Sequence, residues 1–232
     1  MTRELIARPR PRLSPLAVIG KLLLSMSMGV LLFLGWNLWG TNVVAEHEQK
    51  VLVEAFDSQP AFFKVDPGEE APALVPPEDF APRVGKSIFR LRIPAIRVNE
   101  VAVEGVATEQ LDIGPGHYPS CRKGVDKRLC TPWDSAFPGE EGRVVISGHR
   151  TTHGAVFWDL DKLRPGQKII TETKWGTFTY VIDRTRIVPE SSTQIVVPGN
   201  RAEVVLTTCH PKFSAAQRLI VIAGLEEAAP PS

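Results

Sequence analysis

The stretch Val204-Val205-Leu206-Thr207-Thr208-Cys209-His210-Pro211 ends an apolar run in a cysteine, a histidine and a proline. Its β-branched residues favour a strand, and Pro211 prevents that strand from simply continuing because proline lacks a backbone N–H. Arg218 opens a second apolar run, Leu219-Ile220-Val221-Ile222-Ala223. The pattern therefore predicts a thiol at the end of one strand and a guanidinium at the start of the next.

A histidine follows a third apolar run, in Val144-Val145-Ile146-Ser147-Gly148-His149. Cysteine attacks as its thiolate, histidine can exchange protons, and arginine stays protonated and so suits charge stabilisation. These three residue types at strand ends indicate a nucleophile, a general acid/base and an oxyanion partner. Composition alone equally allows a buried cysteine, a capped loop histidine and a solvated arginine.

The N-terminus carries four arginines within its first 12 residues, followed by an apolar stretch over residues 16–39. Residues 22–39 contain no charge and would span about 27 Å as a helix, close to the ~30 Å hydrocarbon core of a bilayer. Trp36 and Trp39 fall where an interfacial aromatic belt is expected, and the basic residues put the N-terminus inside. This predicts a single-pass anchor with the remainder extracytoplasmic. A signal peptide cleaved after Val43-Val44-Ala45 is the alternative.

The chain divides by composition into five parts: a basic cytoplasmic tail (1–15), a transmembrane anchor (16–40), a stalk (41–84), a catalytic domain (85–226) and a C-terminal tail (227–232). A short helix is predicted from Val43 to about Phe63, followed by an acidic, proline-rich segment typical of an extended stalk. An ordered arm docked through Phe62, Phe63 and Phe80 is the alternative.

From about Gly85 onward, short strands separated by turn signals predict an all-β barrel or closed sandwich. A short helix is predicted near residues 156–163, and Gly114-Pro115-Gly116-His117-Tyr118-Pro119 is predicted to be a loop. The predicted strands cover residues 88–93, 98–106, 143–147, 168–173, 177–182, 186–189, 195–197, 203–208 and 218–225.

Cysteine content and net charge limit which disulfides can form and which partners are expected. With three cysteines, at least one thiol stays unpaired. If the domain is exported, Cys121 and Cys130 are the natural disulfide pair and Cys209 remains free; two reduced thiols on an insertion are the alternative. The formal net charge of +1 gives no reason to expect nucleic acid as a partner.

Several of these motifs together resemble the sortases, cysteine transpeptidases of Gram-positive cell surfaces. Leu206-Thr207-Thr208-Cys209 followed by Arg218 is similar to the family signature, and the segments 148–154 and 157–163 are similar to its histidine region. Three further segments resemble class E members, which are typical of actinobacteria: Cys209-His210-Pro211, Ser214-Ala215-Ala216-Gln217-Arg218 and the loop at residues 114–119. The resemblance extends over residues 88–225.

The resemblance implies an eight-stranded β-barrel and acyl transfer in two steps. Cys209 would cleave a C-terminal sorting signal between Thr and Gly, and an amine of a peptidoglycan precursor or a pilin would release the surface protein from the thioacyl enzyme. The implied roles are general acid/base for His149 and oxyanion stabilisation for Arg218. The family's common signal is Leu-Pro-x-Thr-Gly, and the class E analogy implies Leu-Ala-x-Thr-Gly in its place. Substrate contacts are assigned to Tyr118, Thr207, Thr208 and His210.

The chain departs from the family pattern at Val205, where threonine is usual, and in the long insertion between Cys121 and Cys130. Calcium binding, found in other sortase classes, is not expected because no clear acidic cluster is present. No cofactor or metal is expected, since His149 and His153 lack a third ligand at zinc-site spacing. Two alternatives stay open: a cysteine peptidase that only hydrolyses, and a non-enzymatic surface-binding domain.

Overall fold

A computed structural model describes residues 14–62, 73–120, 135–192 and 199–231. Eight strands close into a barrel in the order β1-β2-β3-β4-β7-β8-β6-β5, which confirms the eight-stranded barrel. The strands are β1 Ser87–Ile93, β2 Val98–Glu104, β3 Gly116–His117, β4 Gly142–Ser147, β5 Lys168–Glu172, β6 Thr177–Pro189, β7 Ala202–His210 and β8 Gln217–Ala229.

Three elements differ from the sequence-based prediction. The two strands predicted over residues 177–189 are one strand, β6, whose register shifts between Ile182 and Arg184 where it pairs with β8. β3 lies in the predicted loop, and two 3₁₀ turns, His153–Ala155 and Leu160–Lys162, replace the predicted helix. Asp159, between the two turns, has φ −100° and ψ 15°, and Leu163 is extended, so no continuous helix forms over residues 156–163. The strand predicted over residues 195–197 lies outside the described residues, as do Cys121 and Cys130.

Strands β4, β7 and β8 are buried on both faces. Val144, Val204 and Val221 belong to the barrel core, whereas Val145 and Val205 belong to a second apolar cluster, with Ile220 and Ile222, on the outer face. Burial on both faces explains why these strands read as continuous apolar runs rather than as alternating patterns. The alternation still decides which side chains point outward, and this determines the position of the nucleophile.

The N-terminal helix continues from the apolar stretch onto the barrel. Helix α1 (Pro15–Gly35) begins with the Ser14 hydroxyl accepting from the Ala17 N–H, and a π-helical turn, Trp36–Gly40, joins it to α2 (Thr41–Asp57). No residue of α1 is buried. Within the described part of the chain, one helix is long and apolar enough to cross a bilayer, and it is this one.

Helix α2 is held against β2 by a glutamine. The Gln49 amide nitrogen donates to the carbonyls of Val101 (3.1 Å) and Ile113 (2.8 Å), and its amide oxygen accepts from the Val101 N–H at 2.9 Å. This side chain satisfies backbone groups at a barrel edge where β3 is too short to pair with them. Gly114 leaves room for this contact, because a Cβ there would displace the Gln49 amide from its hydrogen bonds.

These contacts place the segment after the apolar helix on the barrel. Leu52 and Phe56 of α2 pack on Val101 and Val103, and the ring of Phe62 stacks on Trp175 at a centroid distance of 5.8 Å. The helix predicted from Val43 to about Phe63 corresponds to α2, and apolar side chains spaced along it form a face that packs on the barrel. The bounds of the five parts given above remain predictions, and residues 63–72 lie outside the described part.

Glu100 makes the packing of α2 sensitive to pH. Burial and, second, the charge of Glu46 raise the pKa of Glu100 to about 7. The folded state therefore keeps this proton to a higher pH than the unfolded chain does, so stability falls as pH rises from about 4.5 to about 7.

We therefore expect Glu100→Gln to raise the melting temperature relative to the unmodified chain more at pH 8 than at pH 4.5. Thermal denaturation followed by circular dichroism at both pH values measures this difference. Glu109→Gln, an exposed matched substitution, is the control. A difference between the variant and the unmodified chain that does not change with pH would contradict the assignment.

Candidate active site

The strand register brings Cys209 and Arg218 together. Cys209 on β7 pairs directly with Arg218 on the antiparallel strand β8, so both side chains project from the same face of the sheet. On the other side of β7, the parallel strand β4 pairs Ser147 with Thr207. His149 lies two residues past the end of β4, and the Gly148 N–H before it still donates to the Thr207 carbonyl at 3.2 Å. The strands thus set Cys209 beside Arg218, with the His149 loop leaving β4 on the other side of β7.

The thiol lies on the outer face of the barrel. Cys209 has the same strand parity as Val205, which packs in the outer cluster with Ile220 and Ile222. Cys209 is a partly exposed free thiol, and Tyr118 packs against the same cluster. Burial raises the pKa of the Tyr118 hydroxyl, and the nearby positive charge of Arg218 partly opposes that shift.

His149 is held by a carboxylate. Its Nε2 lies 3.0 Å from Oδ1 of Asp112, and the same oxygen lies 3.4 Å from Nδ1 of His153. Burial lowers the pKa of His149; the hydrogen bond to Asp112 and its negative charge oppose that shift, whereas the charge of His153 adds to it. Asp112 therefore stabilises the protonated imidazole that a general acid requires.

The loop that carries His149 is fixed by close packing. A Cβ at position 148 would lie 2.6 Å from Val156 and 2.8 Å from Phe157, so this position requires glycine. The hydroxyl of Thr208 donates to the Gly148 carbonyl at 2.7 Å, and the Phe157 N–H donates to the His149 carbonyl at 3.1 Å. The loop is thereby tied directly to the strand that ends in the nucleophile.

Arg218 is oriented by its own hydrogen bonds. Its Nη2 donates to Glu190 Oε1 at 2.7 Å, and its Nη1 donates to the carbonyls of Ala215 (2.8 Å) and Gln217 (3.1 Å). The planar guanidinium makes these contacts simultaneously, which a lysine ammonium on a flexible stem does not reproduce. The remaining donors of the fork are available to a developing oxyanion.

The expected substrate contacts differ in exposure. Tyr118 and His210 are partly exposed at the site, whereas Thr207 and Thr208 are buried. Since the Thr208 hydroxyl is bonded to Gly148, its geometry favours a positioning role over direct contact with a substrate. His117, in the segment predicted to be a loop, is fully buried, and its Nδ1 lies 2.9 Å from Glu104 Oε2.

Sequence reasoning did not identify Asp112, Glu190 or Arg150. Asp112 precedes the loop at residues 114–119, but only the folded chain shows which histidine it faces. Arg150 is buried directly after His149, and its Nη2 lies 2.9 Å from Asp161 Oδ1. That ion pair fastens the second end of the histidine loop.

Among the described residues, one group has the side chains to hold a metal ion: Asp112, His149 and His153, whose ligand atoms all lie within 4.8 Å of one another. The fold thus brings a third possible ligand, the Asp112 carboxylate, next to His149 and His153, which the sequence spacing did not reveal. The same three side chains already form a hydrogen-bonded set around the candidate acid/base. A catalytic site without metal remains the prediction.

We expect Asp112→Ala to lower the pKa of His149 further, because it removes both contributions of Asp112 that stabilise the imidazolium. The limb of the pH–rate profile that reports loss of the His149 proton then moves to lower pH. NMR titration of the His149 ring measures the shift directly. Glu109→Ala, on an exposed turn nearby, is the control; an unchanged His149 titration in Asp112→Ala would contradict the assignment.

The sequence of the chain matches a known domain family. A sortase domain profile matches residues 91–226. Sortase SrtE1 of Streptomyces coelicolor is 30% identical over 227 residues, covering 92% of this chain and 58% of the relative. Sortase D of Bacillus subtilis is 35% identical over 133 residues, 57% of this chain and 59% of the relative. The chain thus spans somewhat under two thirds of the length of these two relatives.

Solved structures agree in fold. Sortase E from Streptomyces avermitilis has 30% sequence identity and a TM-score of 0.53, covering 64% of this chain and 93% of that one. Sortase E1 from Streptomyces coelicolor, solved with a tripeptide in the active site, has 28% identity and a TM-score of 0.54, covering 63% and 91%. The profile match covers more than half of the chain and contains all three strand-end residues. The chain therefore belongs to the sortase family of cysteine transpeptidases and resembles its class E members.

Proposed function

We propose that this chain is a membrane-anchored transpeptidase that cleaves a C-terminal sorting signal between Thr and Gly and transfers the protein to an amine. The observation that carries the proposal is the direct pairing of Cys209 with Arg218 across β7 and β8, with His149 in the loop that follows β4, the strand on the other side of β7. A tripeptide occupies the active site of the Streptomyces coelicolor relative, which supports a peptide substrate. The N-terminal apolar helix supports the anchor.

In the first step, the Cys209 thiolate attacks the carbonyl carbon of the signal threonine. Negative charge develops on the carbonyl oxygen, and the Arg218 guanidinium stabilises it. The C–N bond to glycine breaks as the protonated His149 donates its proton to the leaving amine, which leaves a thioester on Cys209.

In the second step, an incoming amine attacks the thioester carbonyl and His149 accepts its proton. The C–S bond breaks, the thiolate is regenerated, and a new amide joins the protein to the acceptor. Asp112 stabilises the imidazolium in both steps. The acceptors we propose are the amine of a peptidoglycan precursor or a pilin lysine, and the donors are surface proteins that carry the sorting signal.

Incubation of the full chain in detergent micelles with signal peptides tests this proposal. Peptides with Pro or Ala at the second position of Leu-x-x-Thr-Gly are compared, with and without hydroxylamine. We expect a thioacyl adduct that peptide mapping locates to Cys209, and hydroxamate formation that outcompetes hydrolysis. Hydrolysis unaffected by any added amine would instead identify a peptidase, and the absence of both products would overturn the proposal.

A further inference from the structure

Phe213, four residues after the candidate nucleophile, forms an exposed aromatic pair with Trp158. Phe213 is 70% exposed and Trp158 is 38% exposed, and their rings meet edge to face at a centroid distance of 6.0 Å. The Lys212 ammonium lies 4.2 Å from the centre of the Trp158 ring. We call Trp158, Lys212 and Phe213 the aromatic surface. Adjacent exposed aromatic side chains of this kind mark an interaction site more often than isolated ones do.

The aromatic surface adjoins the end of the apolar helix. A cavity of about 340 Å³ separates the two, and its lining comes from both sides. The helix contributes Leu38, Trp39 and Asn42; the barrel contributes Thr151, Gly154, Ala155, Trp158 and Phe213. Trp158 and Phe213 therefore lie level with the point at which the apolar stretch over residues 16–39 ends.

Hydrogen bonds fix this level. The His153 N–H donates to the Thr41 hydroxyl at 3.3 Å, and the Gly154 N–H donates to the Asn42 side-chain oxygen at 2.9 Å. The start of α2 is thus bonded to the loop that follows His149. The barrel cannot swing away from the helix without losing these bonds, so the height of the aromatic surface above the apolar stretch is set by the fold.

The chemistry of the aromatic surface matches a bilayer interface. Tryptophan is enriched at the membrane–water interface, phenylalanine is among the side chains that interfacial segments bury at the headgroup–acyl boundary, and a lysine can extend its ammonium to the phosphates. Trp39, exposed on the helix at the same level, has the same character. Asp159 lies 3.9 Å from the Lys212 ammonium and 2.9 Å from that of Lys162, so these three side chains together carry a net positive charge.

We propose that Trp158, Lys212 and Phe213 dock on the bilayer that the chain's own helix spans, so that Cys209 works at the depth of the lipid headgroups. This rests on the membrane anchor in the proposed function. It specifies the substrate class: sorting signals and acceptors held at the membrane surface react in preference to the same groups free in solution. The loop between β7 and β8 then serves as a contact to lipid.

Photocrosslinking in proteoliposomes tests the contact. The full chain carries p-benzoylphenylalanine in place of Phe213, in vesicles of phosphatidylcholine and phosphatidylglycerol, and lipid adducts are measured by mass spectrometry after illumination. The matched control replaces Phe62, which is 42% exposed and follows the C-terminal end of α2. At 1.5 Å per residue, α2 is about 25 Å long, so Phe62 lies far from the helix start that adjoins the aromatic surface. We expect at least a tenfold higher lipid adduct yield at position 213 than at position 62.

Equal yields at the two positions, no lipid adduct at 213, or a crosslink from 213 to a second copy of the chain would each overturn the docking. Flotation of the vesicles at alkaline pH distinguishes failure of the docking proposal from failure of the membrane anchor. A chain that leaves the vesicles overturns both the anchor and the docking, whereas a chain that floats without a lipid adduct at position 213 overturns only the docking.

A rate comparison supplies a second readout. Phe213→Ser should lower the ratio of turnover on a lipid-tethered signal peptide to turnover on the soluble peptide by at least fivefold. Phe62→Ser should leave that ratio unchanged. An unchanged ratio in Phe213→Ser would overturn the link between lipid docking and substrate class. This holds whether the enzyme cleaves the peptides by transfer or by hydrolysis, so the result does not depend on the transpeptidase proposal.

Discussion

Replacing Cys209 with alanine should abolish thioacyl formation and lower the rate of peptide cleavage by at least about four orders of magnitude, as loss of a catalytic nucleophile does elsewhere. The physical reason is that no other described side chain on the outer face next to His149 and Arg218 offers a nucleophile in the same register position. Mass spectrometry of the enzyme after incubation with signal peptide, together with the rate of peptide cleavage, measures both effects.

The sequence offers a matched control for this substitution. Cys121→Ala and Cys130→Ala remove the other two thiols, neither of which belongs to β7. We expect both variants to retain the adduct on Cys209. Residual cleavage by Cys209→Ala above one hundredth of the original rate would refute the nucleophile assignment, and full retention of cell-surface function would favour a binding domain instead.

Arg218→Lys should reduce kcat/KM by about 10²–10³-fold, the cost typical of losing one preorganised oxyanion donor. The change retains the positive charge but removes the fork that bonds Glu190, Ala215 and Gln217 simultaneously. A loss of this size therefore reports geometry rather than charge. Steady-state kinetics with the soluble signal peptide provides the measurement.

Two companion variants show whether the fork is the cause. Arg186→Lys changes an exposed arginine on β6 and should leave kcat/KM within twofold. Glu190→Gln retains a side-chain oxygen but removes the charge that orients the guanidinium, so an intermediate loss is expected. If Arg218→Lys retains the rate within threefold, the oxyanion role of Arg218 is wrong.

The barrel was predictable from sequence mainly where strands are buried on both faces. β4, β7 and β8 read as unbroken apolar runs because one set of side chains fills the barrel and the other packs in the outer cluster. β3 was missed because it is two residues long and consists of Gly116 and His117, which carry no apolar alternation. Its pairing with β2 and β4 depends on the closure of the barrel, which local pattern does not encode.

The candidate site was predictable to the extent that its side chains stand at strand ends. Cys209, His149 and Arg218 each follow or open an apolar run, so the prediction that they converge needed only the strands. Their partners come from elsewhere: Asp112 lies 37 residues from His149 along the chain, and Glu190 lies 28 residues from Arg218. Neither stands in a motif, because a single carboxylate in a loop has no local signature.

The parallel pairing of β4 with β7 has a consequence for how this protein tolerates insertions and deletions. Adding one residue between Glu203 and Cys209 would turn the thiol into the barrel interior, since successive side chains alternate between faces. Adding two would return it to the outer face but displace it by about 7 Å along the strand, away from His149. Chain length in this short segment is therefore under tighter constraint than the identity of its apolar side chains.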